Sequence, residues 1–127
     1  MKNEKAIRER FMRDDLPIRL GGLAANLARV ESFSGHPDHC QLVESLLEES
    51  KFFIEWTASA ADMTVQAELV DLQLVLAQWQ RRWADIWLDT SERSAVALKA
   101  GSWSKRVLAL SGIGCTPIDS GPVDRRG

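Results

Sequence analysis

The one stretch of this chain where metal-ligating side chains crowd together is His36-Pro37-Asp38-His39-Cys40, followed by Glu44. Imidazole and thiolate are ligands that suit zinc, but a closed structural site takes four of them at set spacing. No second cluster in the sequence supplies the remainder. Cys40 falls at the edge of an apolar helical face and reads as a buried thiol, while both histidines read as exposed residues around a helix start. Helical bundles that hold two metals use an inward Glu-x-x-His pattern; here no acidic residue precedes a histidine by three. His39 and Cys40 are adjacent, so on a helix they point in different directions and do not form a base–thiol pair. No spacing singles out a serine, lysine or aspartate as nucleophile, and there is no phosphate loop. The sequence predicts no enzyme, no metal and no cofactor.

Composition narrows the class further. A chain of 127 residues suits one domain with a real core. The net charge of −2 argues against nucleic acid as a partner, because such binders carry a basic excess on one face. No apolar run approaches the roughly 20 residues that cross a bilayer, so no membrane partner is expected. The charged start, Met1-Lys-Asn-Glu-Lys5, lacks the apolar stretch of a secretory signal. Cys40 and Cys115 are far apart in sequence and read as reduced thiols of a cytoplasmic protein.

The elements that would position any site are helices. Residues 1–15 are charged and read as a mobile arm, or as a frayed helix around Ala6 to Met12 that uses Ile7 and Phe11. A first long helix is predicted over 16–34, with Leu16, Leu20, Leu23, Leu27 and Val30 on one side and the small residues Gly21, Ala25, Ala28 and Ser32 opposite, where another helix could approach closely. The Gly21-Gly22 pair raises the prospect of an early break or bend. Gly35 and Pro37 end that helix, and a second is predicted over 39–57 with Val43, Leu46, Leu47, Ser50, Phe53 and Ile54 inward. A short link leads to a third over 62–89, and Thr90 or Ser91 caps a fourth carrying Val96, Ala100, Trp103, Val107 and Leu110, closed by Gly112 and Gly114. The second helix is net acidic and the fourth net basic, which would favour their adjacency. The fold expected is all-α: an antiparallel four-helix bundle domain over 16–113, with the 1–15 arm and a 114–127 tail rich in proline and glycine that reads as disordered.

The third segment has two apolar seams. Val65, Leu69, Leu72, Leu76, Trp79, Trp83 and Ile86 share one side with Trp87 at its edge, while Val70, Leu74, Ala77, Ala84 and Leu88 share another. One packing layer hides one stripe, so the segment is expected to sit between neighbours or to hold a face for a partner. Phe52 and Trp56, an i, i+4 pair on the outer side of the second helix, would extend that face. Phe52, Trp56, Val70 and Leu74 are therefore the predicted partner-binding residues, for another protein or for a second copy in a homodimer. The competing expectation is that the arm or the first helix covers Phe52 and Trp56. Trp79, Trp83 and Trp103 are read first as core; lining a pocket for a small ligand or pigment is the alternative.

The stretches Leu20-Gly-Gly-Leu-Ala-Ala-Asn-Leu-Ala-Arg29, Glu49-Ser-Lys-Phe-Phe-Ile-Glu-Trp-Thr-Ala58 and Trp79-Gln-Arg-Arg-Trp-Ala-Asp-Ile-Trp87 resemble a family of small all-helical proteins found in cyanobacteria. The resemblance spans roughly residues 16 to 113 and implies a cytoplasmic accessory protein in a photosynthetic cell. It implies no activity and carries over no functional residue.

Overall fold

The computed structural model describes residues 4–112, and within them every regular element is helical, so the all-α expectation holds. The order is α1 (Glu4–Met12), α2 (Leu16–Phe33), a 3₁₀ turn (Pro37–His39), α3 (Cys40–Ala58), α4 (Met63–Arg81), α5 (Trp83–Leu88) and α6 (Thr90–Ser111). The tail placed at 114–127, with Cys115, lies outside the described residues.

Local chemistry accounts for most boundaries. Pro17 sits in the first turn of α2, where its missing N–H removes no helical bond. Asp62 caps α4 by accepting from the Val65 backbone N–H at 3.0 Å. Asp89, rather than Thr90 or Ser91, caps α6, its Oδ1 accepting from the N–H groups of Ser91 and Glu92 at 2.9 and 3.2 Å. Gly112 ends α6 with φ +77°, a backbone state that glycine adopts without a Cβ penalty. The Gly21-Gly22 pair does not break α2, which runs continuously from Leu16 to Phe33.

One core joins the helices. Leu20, Leu23, Leu27 and Val30 of α2 pack with Val43, Leu47, Phe53 and Ile54 of α3, Leu69, Leu72 and Leu76 of α4, Trp83, Ile86 and Trp87 of α5, and Val96, Ala100, Trp103 and Val107 of α6. The most extensive pairing is α2 with α6, followed by α2 with α3 and α3 with α4. The α2–α6 approach is close where residues are small: Ser104 Oγ donates to the Ala24 carbonyl at 2.7 Å, and the Glu31 carboxylate lies over Gly101. Ala24 makes this contact, whereas Ala28 and Ser32, expected to pack, are exposed. Gln66 donates to the Ala58 carbonyl at 2.7 Å and Lys51 to Gln80 Oε1 at 2.8 Å, fastening the two ends of the α3–α4 pair. By comparison α4 meets α6 sparingly, and ion pairs stand at both ends of that contact: Arg106 with Glu68, and Arg82 with Glu92 at 2.8 Å. Arg106 of the basic α6 thus takes its counter-charge from Glu68 of α4, while the acidic Glu92 of α6 takes its own from Arg82.

Of the two readings of the N-terminal segment, the helical one describes residues 4–12: they form α1, and Phe11 is buried with its ring stacked 4.2 Å from Phe53 and tilted 5.8 Å from Trp56. The ring also reaches α2 at Gly22, where a Cβ would sit 3.7 Å from Phe11 Cε1, an ordinary van der Waals contact. The third segment is not one helix. It breaks at Arg82, whose backbone N–H bonds back to Trp79 in a tight turn. The indole N–H of Trp83 donates to the Cys40 carbonyl at 3.3 Å, and that of Trp87 to the Pro37 carbonyl at 2.8 Å. These bonds draw α5 onto the α2–α3 connection while Arg82 turns towards Glu92.

Candidate functional site

The second seam of the third segment is where the structure departs most from a self-contained core. Leu69, Leu72 and Leu76 bury the inner side of α4, but Val70 is 52% exposed, Leu74 59% and Met63 83%. Ala67 is exposed and Ala77 half-buried on the same side. Among the described residues no second layer covers them, so of the two alternatives for the seams, enclosure between neighbours does not hold there. Leu88, at 85% exposure, belongs to α5 and has left the stripe because of the Arg82 break.

Met63, Ala67, Val70, Leu74 and Ala77 follow one another at intervals of four, three, four and three residues. That alternation keeps a seam straight along a helix and is the spacing with which helices pair. Its flanks are largely uncharged: Gln66, Gln73 and Gln80 on the α3 side, Thr64, Asp71 and Gln78 on the other. Gln66 and Gln80 hold α3, as described above, while Gln73 and Gln80 line a groove with Glu48, Lys51, Phe52 and Glu55. The four predicted partner-binding residues therefore divide. Val70 and Leu74 are on the surface, and half-buried Phe52 lines the groove beside them. Trp56 is only 6% exposed, enclosed by Phe11, Phe52 and Phe53 at centroid distances of 5.8, 5.5 and 6.0 Å. It supports Phe52 from below and offers no surface of its own.

The three tryptophans proposed as a pocket wall also divide. Trp83 and Trp103 are core residues, the latter with the Arg106 guanidinium 3.9 Å from its ring centroid. Trp79 is half-buried and lines a separate groove of about 260 Å³ between α4 and α6 with Val75, Ile86, Val96 and Lys99. The ring contact within the stripe is Trp83 with Trp87, at 5.3 Å.

Around the metal-ligand cluster, the His36 and His39 rings lie 4.9 Å apart, His39 packs edge-on against Phe33, and its Nδ1 bonds the Phe33 carbonyl at 3.3 Å. Cys40 is half-buried and unpaired, its carbonyl taken by Trp83. Among the described residues no three His, Cys, Asp or Glu side chains are grouped to hold a metal ion.

A polar cluster escaped the sequence reading. Asn26, buried beneath α1, donates to Glu49 Oε1 at 3.0 Å and accepts from Arg29 Nη1 at 2.9 Å. An asparagine spaced three after Leu23 and four before Val30 occupies a core register, which was the available signal. With its amide nitrogen bonded to half-buried Glu49 and its oxygen to exposed Arg29, it ties α2 to α3.

Among the described residues no helix is long and apolar enough to cross a membrane. Comparison of the chain with protein-family models, curated proteins and solved structures finds no match.

Proposed function

We propose that this chain is a non-enzymatic protein-interaction module of the cytoplasm that binds its partner through the outer face of α4 and Phe52. In this reading α2, α3, α4 and α6 act as an antiparallel four-helix bundle with α1 and α5 as accessories. The observation that carries it is the exposed Met63–Val70–Leu74 stripe, held at helix-pairing intervals on the side of α4 turned away from the core. An accessory role in a photosynthetic cell, as the cyanobacterial resemblance implies, belongs to the same proposal. The test is affinity capture from native cells with the parent chain and with Val70→Glu/Leu74→Glu. Both positions are exposed, so the fold should survive, within about 0.5 kcal/mol per site. Loss of a specific co-purifying protein is the expected result; retention of every partner would reject the surface.

The alternative function, a small-ligand or pigment carrier, draws support from Trp79 in the α4–α6 groove. It predicts that Trp79→Phe removes a ligand-dependent change in fluorescence; an unresponsive parent chain would dismiss it.

A further inference from the structure

We infer that the occupant of the α4 face is a second copy of the same chain, its α4 running antiparallel to the first; the inference rests on the interaction reading above and names the partner.

Register supplies the first argument. In an antiparallel pair each seam residue meets one of the alternate seam class on the other helix, in successive layers. If positions facing each other sum to 144, Val70 meets Leu74 of the other copy and Leu74 meets Val70. Ala67 then meets Ala77, and Met63 meets the methylene stem of Arg81, the next residue of the stripe. Every layer falls on a seam residue, and the two large side chains fill the centre with alanines outside them. Such self-complementarity is what a two-fold interface requires, since the same patch serves both partners.

Charge supplies the second. From 59 to 80 the ionised side chains are Asp62, Glu68 and Asp71, all acidic, and Arg81 and Arg82 follow. Reversal brings the acidic end of one α4 beside the basic end of the other, with Asp62 facing Arg81 of the second copy at both ends. A parallel pair would align like with like. Glu68 and Arg82 are already held by Arg106 and Glu92; Asp62 caps α4 through Oδ1, and its second carboxylate oxygen is the one that would take Arg81 of the second copy. On the α3 flank Gln73 meets Gln73, and amides can donate and accept reciprocally. The opposing term lies on the other flank, where Asp71 faces Asp71 near the axis. This like-charge contact, together with Glu48 and Glu55 on the α3 rim, keeps the association weak.

Sedimentation equilibrium of the purified chain from about 10 µM to about 1 mM tests this, a range that detects standard free energies down to about −4 kcal/mol. Reversible dimerisation is expected. Asp71→Asn should tighten it several-fold and Arg81→Glu weaken it several-fold, while Val70→Glu/Leu74→Glu should abolish it with the circular dichroism unchanged. Orientation is read by cross-linking on a Cys40→Ser/Cys115→Ser background. Ala67→Cys with Ala77→Cys should yield a disulfide joining positions 67 and 77 of different copies, and Ala67→Cys alone should not. A monomer at every concentration overturns the second copy. So does a dimer indifferent to Val70→Glu/Leu74→Glu, or a 67–67 disulfide from Ala67→Cys alone. If the chain stays monomeric while that double substitution still strips a captured cellular protein, the inference falls and the interaction reading stands. If neither experiment responds, both fall.

Discussion

Replacing Phe11 with alanine should release α1 from the body of the protein. The ring is buried, stacked on Phe53 and tilted against Trp56, beside Gly22 of α2. Burying a phenylalanine contributes about 1.5–3 kcal/mol, and a well-placed aromatic pair adds about 0.5–1.5 kcal/mol. The loss cannot exceed what holds α1 in place, because a nine-residue helix is marginal by itself and will fray once its anchor goes. The net expectation is a loss of about 2–3 kcal/mol, which for a domain of this size lowers the melting midpoint by roughly 7–11 °C. Undocking also uncovers Trp56, so its emission should shift to the red. Hydrogen exchange resolves the two components: amides of 4–12 should lose protection, while those of Leu69, Leu72 and Leu76 stay slow below the transition. Unchanged protection across 4–12, with a midpoint within about 2 °C of the parent, would refute the assignment of Phe11 as the anchor.

Other perturbations follow from single geometric facts. Gly112→Ala forces a Cβ onto a residue at φ +77° and should destabilise by about 1 kcal/mol in urea unfolding, although the space around it is open. Asp89→Ala leaves two N–H groups of α6 without their acceptor and should remove about 1 kcal/mol by the same assay. Gly101→Ala should stabilise by about 0.5 kcal/mol: its Cβ displaces only the Glu31 carboxylate, the free end of an exposed side chain, while alanine favours the helix. A loss above about 1 kcal/mol would show instead that the α2–α6 backbones need the glycine.

Periodicity made the core legible because burial repeats with the helix. Most inward residues of α2, α3, α4 and α6 follow their expected stripes, with Leu16, Leu46 and Leu110 half-buried at the margins; across the break at Arg82 the inner series keeps Leu69, Leu72, Leu76, Trp83 and Ile86 buried, with Val65 and Trp79 half-buried. What stayed hidden depends on contacts distant in sequence. Among charged neighbours Phe11 reads as part of an arm or of a frayed helix, and what it docks on is not legible, since its partners Phe53 and Trp56 lie more than forty positions away. The break has no glycine or proline to announce it; it accompanies indole bonds to the carbonyls of residues 40 and 37. The same holds at the surface. Phe52 and Trp56 have the same composition signal and spacing, and only the position of α1 separates a groove residue from a buried one.

The fold does not need the outer face of α4. Its inner leucines secure it to the core, its glutamines fasten it to α3, and Glu68 and Arg82 reach α6, all without Met63, Val70 or Leu74. Apolar side chains that hold nothing in the monomer contribute little to its stability, and polar replacements there would raise solubility. This separates the two roles experimentally. In Leu72→Ala, a buried position on the same helix, unfolding stability should fall by about 2–5 kcal/mol while association of the folded fraction persists. In Leu74→Glu, two residues on, the effects should reverse. If both substitutions altered stability and association together, the outer stripe would be part of the core after all, and the division of α4 into a structural side and a binding side would be wrong.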